Sequence, residues 1–279
     1  MLRIVVDSGS SIKQEEKDAY SIDILPIQIE LGEESFLDGV NLDINEFYEK
    51  LKQSDEFPKT SLPALDEAEK LVEEYTNQGD EVLIITISSE ISGTYQALCM
   101  LFEENPKVTV FDSRLAVGGI HFLVREAWKY KSEPMDVIVQ KLNCLIPRIV
   151  IAAVPETLDY LLSGGRLSRT EWMLGSLLSI KPVIGFRDGC VEVLTKKRGL
   201  KQSMQYIAER AKNECDTSYG IIASYTFCKK NLEALIGMTD SDLQEAIWIY
   251  DNLTPSIACH WGPNAFGYIY VRRDEADHE

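Results

Sequence analysis

The sequence predicts an α/β protein of two domains: an N-terminal domain with a parallel sheet flanked by helices, and a C-terminal domain with a mixed or antiparallel sheet. In the first half, apolar runs of strand length alternate with amphipathic stretches of helix length, as in parallel strands joined by crossover helices. In the second half, two apolar runs flank Asp188-Gly189, a dipeptide typical of tight β-hairpins. The change of pattern places the boundary near residue 146, which gives domains 1–146 and 147–279.

Three turns rich in hydroxyl groups occur in the N-terminal domain. The first, 7–11, follows a predicted strand at Leu2 to Val6, and the second, 88–94, follows a predicted strand at Val82 to Ile87. The third, 59–63, is predicted as a loop just ahead of a helix. Because the carboxyl ends of parallel strands meet at one edge of a sheet, we expect the three turns to share that edge.

The other elements follow from helical spacing, capping residues and apolar runs. In the N-terminal domain they are an apolar stretch at 24–29, a helix from a capping box at Asp43 and Glu46 through Leu51, a helix over 65–75, a helix from 95 to 102, a strand at 108–112, and helices over 115–130 and 134–144. In the C-terminal domain they are a strand at 148–154, a helix at 156–162, a glycine loop at 163–168 whose Ser168 caps the next helix, hairpin strands at 181–186 and 190–196, a helix over 200–213, a strand at 219–224, a helix at 231–236, and strands at 246–250 and 265–271. The stretch from His260 to Asn264 is predicted as a strand end that runs into a Gly-Pro turn.

Charge and composition argue against several classes of function. The 279 residues carry a formal charge of −17, whereas a protein that binds nucleic acid or an anionic membrane directly usually carries the opposite balance. The six cysteines are scattered without a C-x-x-C pair and mostly lie in apolar segments, which is typical of reduced core thiols. No apolar stretch approaches the roughly 18 residues of a membrane span, and the N-terminus runs directly into a strand, so we expect a soluble cytoplasmic protein.

The stretch from Ile84 to Met100 is the strongest candidate for a binding site. It has the pattern of a strand, a polar turn and a helix start, and helix starts bind anions because their first N–H groups are unsatisfied. Ser92 and its neighbours add hydroxyl donors, so the residues favour a carboxylate or a phosphate as ligand. The alternative is that Ser92 only caps the helix, and the residues alone favour neither interpretation.

A hydrolase is the alternative function. Ser92 with His260 and a carboxylate would form the triad of a serine esterase or acyltransferase, although the G-x-S-x-G turn of such enzymes is absent. The histidines are too far apart in sequence for a metal pair, and no H-E-x-x-H, phosphate-loop or G-x-G-x-x-G motif is present, so we expect no metal and no cofactor. The basic run Lys196-Lys197-Arg198 fits either an anion contact or a solvated strand end.

An ordered set of short motifs resembles the DegV family of fatty-acid-binding proteins, in family order from residue 4 to about 267. The motifs are Asp7-Ser8, Thr60-Ser61-x-Pro63, Ser88-Ser89-x-x-Ser92-Gly93-Thr94-Tyr95-Gln96, Asp112-Ser113, Gly164-Gly165-Arg166-Leu167-Ser168, Lys181-Pro182, Asp188-Gly189, Lys196-x-Arg198 and His260-x-Gly262-Pro263. No single motif is specific, but the ordered set is. The resemblance implies a two-domain α/β protein that holds one long-chain fatty acid between its domains, with the acyl chain in an apolar tunnel.

The resemblance also implies roles for particular residues. The residues that would bind the fatty-acid carboxylate or flank it are Thr60, Ser61, Ser92, Gly93, Thr94, Arg198 and His260. Arg166 would contact a separate ATP-dependent fatty acid kinase subunit, which makes acyl-phosphate for phospholipid synthesis. The chain itself would then be a non-catalytic carrier with at most transient membrane contact for lipid exchange. We expect Arg166 to be exposed, because two glycines precede it in a loop.

Two positions depart from the family pattern, and three stretches are candidate walls for the acyl chain. Asn264 replaces the second glycine of Gly-Pro-Gly, which affects the geometry around His260, and Ala64 replaces a common serine, which we expect to be mild. The candidate walls are Leu158 to Leu162, Trp172 to Leu178 and Phe266 to Tyr270. Ordinary core packing explains the same three stretches, and the sequence does not separate the two interpretations.

Overall fold

The structure, a computed structural model, describes residues 1–167, 180–250 and 253–274. The chain divides into two compact units. The first holds residues 1–146 and the short segment Thr254–Ile257, and the second holds residues 147–253 and resumes at Ala258. The sequence did not predict that 254–257 belongs to the first unit, because four residues are too few to show a periodic pattern.

A four-stranded parallel sheet organises the first unit. Its strands, in the order in which they lie side by side, are β2 (Ile22–Leu25), β1 (Leu2–Asp7), β6 (Glu81–Thr86) and β7 (Val108–Asp112). All neighbouring pairs run parallel, so the predicted parallel sheet is confirmed. The central strands β1 and β6 are apolar on both faces, as a parallel sheet covered on both sides requires.

A small antiparallel sheet in the same unit was not predicted. Its strands, in order, are β4 (Glu34–Leu37), β3 (Gln28–Leu31) and β5 (Lys59–Ser61). The prediction of a loop over 59–63 is therefore wrong for its first three residues, which pair with β3 through Ile29 and Thr60. A strand of three residues is too short to produce the alternating pattern by which strands are recognised.

Six helices of the first unit connect and flank these strands. They are α1 (Gln14–Tyr20), α2 (Ile44–Gln53), α3 (Leu65–Asn77), α4 (Thr94–Leu101), α5 (Gly118–Lys129) and α6 (Met135–Leu145). The predicted helices α2 to α6 are confirmed to within three residues at each end. Asp43 caps α2 by accepting from the backbone amides of Asn45 and Glu46 at 2.7 and 3.0 Å, which is one half of the predicted capping box.

The second unit contains a six-stranded mixed sheet, as predicted. Its strands, in order, are β10 (Cys190–Arg198), β9 (Ile180–Arg187), β8 (Ile149–Val154), β13 (Phe266–Val271), β11 (Ile221–Tyr225) and β12 (Ile247–Tyr250). Only β11 and β12 run parallel to each other. The hairpin at Asp188-Gly189 is confirmed, and both residues have positive φ, 50° and 85°, as a type I′ turn requires.

Five described helices complete the second unit. They are α7 (Asp159–Ser163), α8 (Leu200–Glu214), α9 (Lys230–Ile236), α10 (Ser241–Gln244) and α11 (Pro255–Trp261), of which α11 begins in the segment assigned to the first unit. The prediction that His260 and Trp261 form a strand end is wrong, because both belong to α11. A short apolar run fits a strand or a helix equally well by periodicity. The predicted cap at Ser168 lies outside the described residues.

The cysteines differ in their surroundings. No disulfide joins any of the six, all of which lie in described residues. Cys215 and Cys259 are buried, as small core residues are. Cys144, Cys190 and Cys228 are exposed, so the prediction that the thiols mostly occupy the core is wrong for half of them.

Candidate functional site

The turns that follow β1 and β6 are joined by the carboxyl group of Asp7. Its Oδ1 accepts from the Gly9 amide at 2.9 Å and its Oδ2 accepts from the Ile87 amide at 2.7 Å. Asp7 is completely buried. Burial, opposed by the two amides and reinforced by the neighbouring Asp38, raises the pKa of Asp7 to about 7. Two of the three predicted hydroxyl turns therefore lie side by side.

Ser92, Gly93 and Thr94 form the start of α4. Gly93 is the N-cap residue of α4. The alternative interpretation, in which Ser92 is the N-cap, is therefore wrong by one residue. The Ser92 hydroxyl lies 2.9 Å from the Thr94 hydroxyl and accepts from the Thr94 amide at 3.3 Å. Thr94 is buried, Ser92 is half-buried and Gly93 is exposed. Two adjacent hydroxyls thus stand at a helix start, where the partial positive charge favours an anion.

The strand β5 ends one residue before Leu62, which is a neighbour of this turn. A Cβ added to Gly93 would lie 3.5 Å from Cδ2 of Leu62, so the backbone of the turn runs beside that side chain. Leu62 precedes a proline, which restricts it to extended backbone, and alternate residues of an extended chain share one side. By this alternation we expect Thr60, which is half-buried, to lie on the same side of the chain as Leu62.

The Ser61 hydroxyl points to the opposite side of β5 from Thr60. Ser61 is exposed, and its Oγ donates to Oε1 of Gln28 at 3.4 Å, across the pair of strands. Successive residues of a strand face opposite sides, so a ligand on one side meets only one of these two hydroxyls. The predicted role of Ser61 in carboxylate binding stays a prediction, and the geometry favours Thr60.

In the second unit, His260 lies against the loop that follows α7. A Cβ added to Gly164 would come within 2.5 Å of the His260 Nδ1, so this position accepts only glycine while the ring stays where it is. Burial, with a smaller contribution from the Arg166 guanidinium, lowers the pKa of His260 to about 4. The imidazole is therefore neutral at physiological pH, with one ring nitrogen that donates a hydrogen bond and one that accepts.

The expected exposure of Arg166 is wrong. The side chain is half-buried, its Nη1 donates to the Gly164 carbonyl, and burial lowers the pKa of the guanidinium. Because the loop packs on the His260 ring, its arginine lies beside that ring instead of in open solvent. The predicted contact of Arg166 with a kinase stays a prediction, and the structure adds a second neighbour, His260, for the same guanidinium.

Arg198 ends β10 and is exposed. The exposed Lys196 and half-buried Lys197 precede it, and the Lys197 Nζ lies 4.9 Å from the centroid of the Tyr206 ring. Lys197 pairs with Lys181 across the hairpin, which gathers positive charge at this end of the second unit's sheet. The predicted role of Arg198 beside a carboxylate stays a prediction.

Asn264 fits the position at which the family resemblance expects a glycine. Its φ is 61°, a left-handed conformation that asparagine adopts more readily than other residues with a side chain. Its amide nitrogen Nδ2 donates to Oε2 of Glu156 at 2.6 Å. Gly262, two residues earlier, has φ 67°, and a Cβ there would collide with the Tyr160 ring. In the turn after His260, glycine is therefore present at position 262, where a side chain would not fit.

The three stretches predicted as candidate walls for an acyl chain differ in what the structure says of them. Phe266, Tyr268 and Tyr270 point into the core of the second unit, where they pack with residues of α8 and α9, and the Tyr268 hydroxyl lies 2.8 Å from that of Thr239. For this face of β13, ordinary core packing is the correct interpretation. In the stretch Leu158 to Leu162, Leu158 and Leu161 are buried. The stretch Trp172 to Leu178 lies outside the described residues.

The hydrolase alternative gains no support from the surroundings of His260. A triad histidine is oriented by a carboxylate, which stabilises its protonated form. The charged group that lowers the pKa of His260 is instead the Arg166 guanidinium, which has the opposite sign. An imidazole with a pKa of about 4 is also a weak general base at neutral pH.

Sequence reasoning named Asp7 and Asp112 only as parts of motifs and predicted no role for them in supporting the turns. Asp7 and Asp112 each accept more than one hydrogen bond from turn residues, and Asp38 lies buried beside Asp7. Burial raises the pKa of Asp38, and the facing hydroxyls of Ser256 and Ser8 oppose that shift. The available signal was an aspartate directly after the predicted strand at 2–6 and another at the last position of the predicted strand at 108–112.

The described part of the chain has neither a metal-binding cluster nor a membrane-spanning helix. Among its residues, no three His, Cys, Asp or Glu side chains are grouped as ligands of a metal ion. None of the helices described above is both long and apolar enough to cross a membrane.

Comparisons with known proteins give a consistent result. A model of a family described as "Uncharacterised protein, DegV family" matches residues 1–273. A DegV domain-containing protein of Caldanaerobacter subterraneus subsp. tengcongensis is 31% identical over 280 residues, covering 98% of this chain and 99% of that protein. The crystal structure of a fatty acid binding DegV family protein from Streptococcus agalactiae has a TM-score of 0.88 and 30% identity over 98% of this chain and 99% of that one. DegV from Bacillus subtilis, a fatty acid binding protein, has a TM-score of 0.85 and 26% identity over 98% and 99%.

Replacing Arg166 tests the proximity of its guanidinium to His260. In Arg166→Gln we expect the pKa of His260 to rise from about 4 toward the ordinary value of about 6.5, because a positive neighbour no longer opposes protonation. The pKa should stay below the ordinary value, since burial is the larger cause. Titration followed by NMR of the histidine ring signals measures the shift.

The matched control is Arg187→Gln. Arg187 is an exposed arginine in the same unit, and its Nη1 lies 3.3 Å from the Glu192 carboxylate. It should leave the His260 titration unchanged. An unchanged titration in Arg166→Gln as well would show that the two side chains are not neighbours in solution.

Proposed function

The chain belongs to the DegV family, and from that premise we propose that it binds one long-chain fatty acid and presents it to a separate ATP-dependent kinase. The acid's carboxylate binds at the hydroxyl groups of Thr60, Ser92 and Thr94, with the backbone of Gly93 in the same turn. Arg198 and His260 remain candidates from the family resemblance, whereas Ser61 is left out of the proposed site. Of the two hydroxyls on β5 the proposal uses that of Thr60, since Ser61 points the other way.

One observation supports the proposal above all: two adjacent hydroxyls, those of Ser92 and Thr94, lie at the start of α4, and Leu62, just after β5, lies beside Gly93 in the same turn. A carboxylate removed from water needs several donors, because an unmet buried charge costs several kcal/mol. Hydroxyl groups and a helix start supply such donors without a bound cation. Related DegV proteins from Streptococcus agalactiae and Bacillus subtilis are described as fatty acid binding, which supports a fatty acid as the ligand here.

The acyl chain supplies the larger part of the binding free energy in this proposal. Each buried methylene group contributes about 0.8 kcal/mol, so a long chain favours a tightly held ligand even if the carboxylate site only breaks even. The carboxylate site then fixes orientation, with the reactive end of the acid held at the polar turns. That arrangement suits a carrier, because a partner enzyme finds the carboxyl group at a defined place.

The carrier is proposed to be non-catalytic and to act in the cytoplasm. The sequence holds no phosphate-loop motif with which to bind ATP for itself, so phosphorylation of the carboxylate falls to the kinase subunit. That subunit makes the acyl-phosphate used for phospholipid synthesis. Arg166 is proposed to meet the kinase, because arginine pairs well with carboxylates and phosphates across interfaces.

Extraction of the purified protein tests the proposed ligand. Chloroform extraction followed by mass spectrometry should yield about one long-chain fatty acid per protein molecule, because a tightly buried lipid survives purification. A protein that contains no fatty acid and hydrolyses a chromogenic ester would favour the esterase or acyltransferase alternative instead.

Substitutions on β5 test the carboxylate site. Thr60→Val keeps the shape of the side chain and removes the hydroxyl, so we expect fatty acid affinity to fall by about 10- to 150-fold, which corresponds to losing about 1.5 to 3 kcal/mol of a hydrogen bond to a charged group. Fluorescent fatty acid displacement measures the change. The neighbouring Ser61→Ala, on the opposite side of the strand, should change affinity less than about twofold. Equal losses in both variants would show that the effect comes from the strand and not from the Thr60 hydroxyl.

Arg166→Ala separates the lipid from the partner. We expect normal fatty acid content and a rate of acyl-phosphate formation reduced at least about tenfold, because the guanidinium is proposed to pair with the kinase. The exposed Arg187→Ala is the control and should leave both quantities unchanged. Loss of lipid from Arg166→Ala would show that the guanidinium contributes to lipid binding instead.

A further inference from the structure

We propose that Asp7 and Asp112 are positioning residues for the fatty-acid carboxylate: they hold the turn after β6 from both sides and thereby fix the hydroxyls of Ser92 and Thr94. The inference rests on the proposed function. β6 lies between β1 and β7 in the parallel sheet, and each of these neighbours ends in one of the two aspartates. The two carboxyl groups therefore flank the carboxyl end of β6.

Asp7 holds the turn from the β1 side. Its Oδ2 accepts from the Ile87 amide at 2.7 Å, while its Oδ1 accepts from the Gly9 amide at 2.9 Å. Both oxygens are thus occupied by N–H donors, and the side chain is completely buried. Such a carboxyl group has no freedom to move without leaving an amide unsatisfied.

Asp112 holds the turn from the β7 side. Its Oδ2 accepts from the Ser89 hydroxyl at 2.5 Å, and its Oδ1 accepts from the Ser89 amide at 3.1 Å and from the Arg114 amide at 2.9 Å. The pKa of Tyr95, in the first turn of α4, is raised chiefly by its hydrogen bond with Cys99 and by burial, and to a smaller extent by the charge of Asp112.

The held residues connect directly to the candidate site. Ser88 lies between Ile87 and Ser89, the two residues held by the aspartates. The Ser88 carbonyl accepts from the amides of Ile91 and Ser92 at 3.2 and 3.1 Å. The position of the Ser92 hydroxyl therefore follows from that of Ser88, and a shift of about 1 Å is enough to weaken a site that depends on placed donors.

Acids beside a site for an anion are unexpected on charge alone, and their hydrogen bonds explain them. A negative charge near the ligand carboxylate weakens its binding. A neutral side chain that accepted the same hydrogen bonds would therefore give a higher affinity than aspartate. A carboxylate accepts on both oxygens, whereas an asparagine side chain accepts on one and donates from the other. At Asp7 both partners are N–H groups, so asparagine would oppose one of them with its own NH2 group.

Asparagine substitutions at Asp7 and Asp112 should have different effects on fatty acid affinity. At Asp112, asparagine keeps the Oδ1 acceptor for two amides, and its NH2 group donates to the Ser89 hydroxyl, which accepts as readily as it donates. Asp112→Asn should therefore retain fatty acid affinity within about threefold, whereas Asp112→Ala and Asp7→Asn should each lose at least about tenfold. A merely stabilising role would not produce rescue by asparagine at one position only.

Asp80→Asn is the matched control. Asp80 is a buried aspartate next to the opposite end of β6, where its carboxylate pairs with the Met1 amino group at 2.8 Å and Arg3 at 2.7 Å. Its substitution weakens the same sheet without touching the turn. Urea denaturation measures the loss of stability in each variant, and binding is measured at a urea-free condition where all variants are folded.

Oleate titration of delipidated protein and hydrogen exchange of the ligand-free protein complete the test. We expect weaker oleate binding and faster exchange of the peptide covering 84–95 in Asp112→Ala and Asp7→Asn, with neither change in Asp80→Asn. If Asp7→Asn does not fold, the Asp112→Ala and Asp112→Asn pair decides. Wild-type affinity in Asp112→Ala, or an equal loss in Asp80→Asn, would overturn the positioning role alone. Wild-type protein that binds no oleate would overturn the proposed function and this inference with it.

Discussion

The first unit depends on one requirement: the backbone amides that follow the buried strand β6 must find acceptors. A strand covered on both faces leads into a turn that water reaches poorly, and an unpaired buried amide costs about as much as a lost hydrogen bond. The Asp7 carboxyl group meets this requirement at Ile87, and its second oxygen holds the turn after β1. One buried side chain thus sets two hydroxyl-rich turns side by side, which is where an anion finds several donors together.

This arrangement places an acid with an altered pKa in the interior. Since burial raises the pKa of Asp7 to about 7, the folded protein holds that proton more tightly than the unfolded chain does. Its contribution to stability is therefore present at pH values below about 4 and is lost as the pH rises through about 7. Asp80 acts in the opposite sense, because the Met1 amino group and Arg3 lower its pKa, so its contribution is lost as the pH falls. The acids at the two ends of the sheet thus oppose each other in their pH dependence.

Elements with a clear apolar pattern were predictable from the sequence, and elements without one were not. The strand at 108–112 and the helix that begins at Leu200 have the predicted positions, because each shows a full period of apolar residues. The strands β4 and β5 were missed because they have only four and three residues, and the helix α11 was missed because its short apolar run fits a strand equally well. Thr254-Pro255, a capping residue followed by a proline at the first helical position, was the unused signal for α11.

The candidate site was predictable as chemistry and not as geometry. Hydroxyls and a glycine between a strand and a helix indicated a donor-rich turn at Ser92. The opposite directions of Thr60 and Ser61 follow only once the pairing of β5 with β3 is known. The loop of Arg166 lies against His260 through Gly164, a contact between residues far apart in the sequence, so the half-buried state of Arg166 could not be predicted from its own surroundings in the chain. An aspartate at a strand end has the same pattern whether it meets water or buried amides.

The central claim is that hydrogen-bond donors at the end of β6 hold the carboxylate of a bound fatty acid. Carbon-13 NMR of the protein loaded with a fatty acid labelled at its carboxyl carbon measures this directly. Donors that meet a carboxylate keep it ionised, so the account predicts one carboxyl signal with a constant chemical shift from about pH 5 to 8, and a different shift in Ser92→Ala. A signal that titrates through this range, or that is identical in wild-type protein and Ser92→Ala, would contradict it.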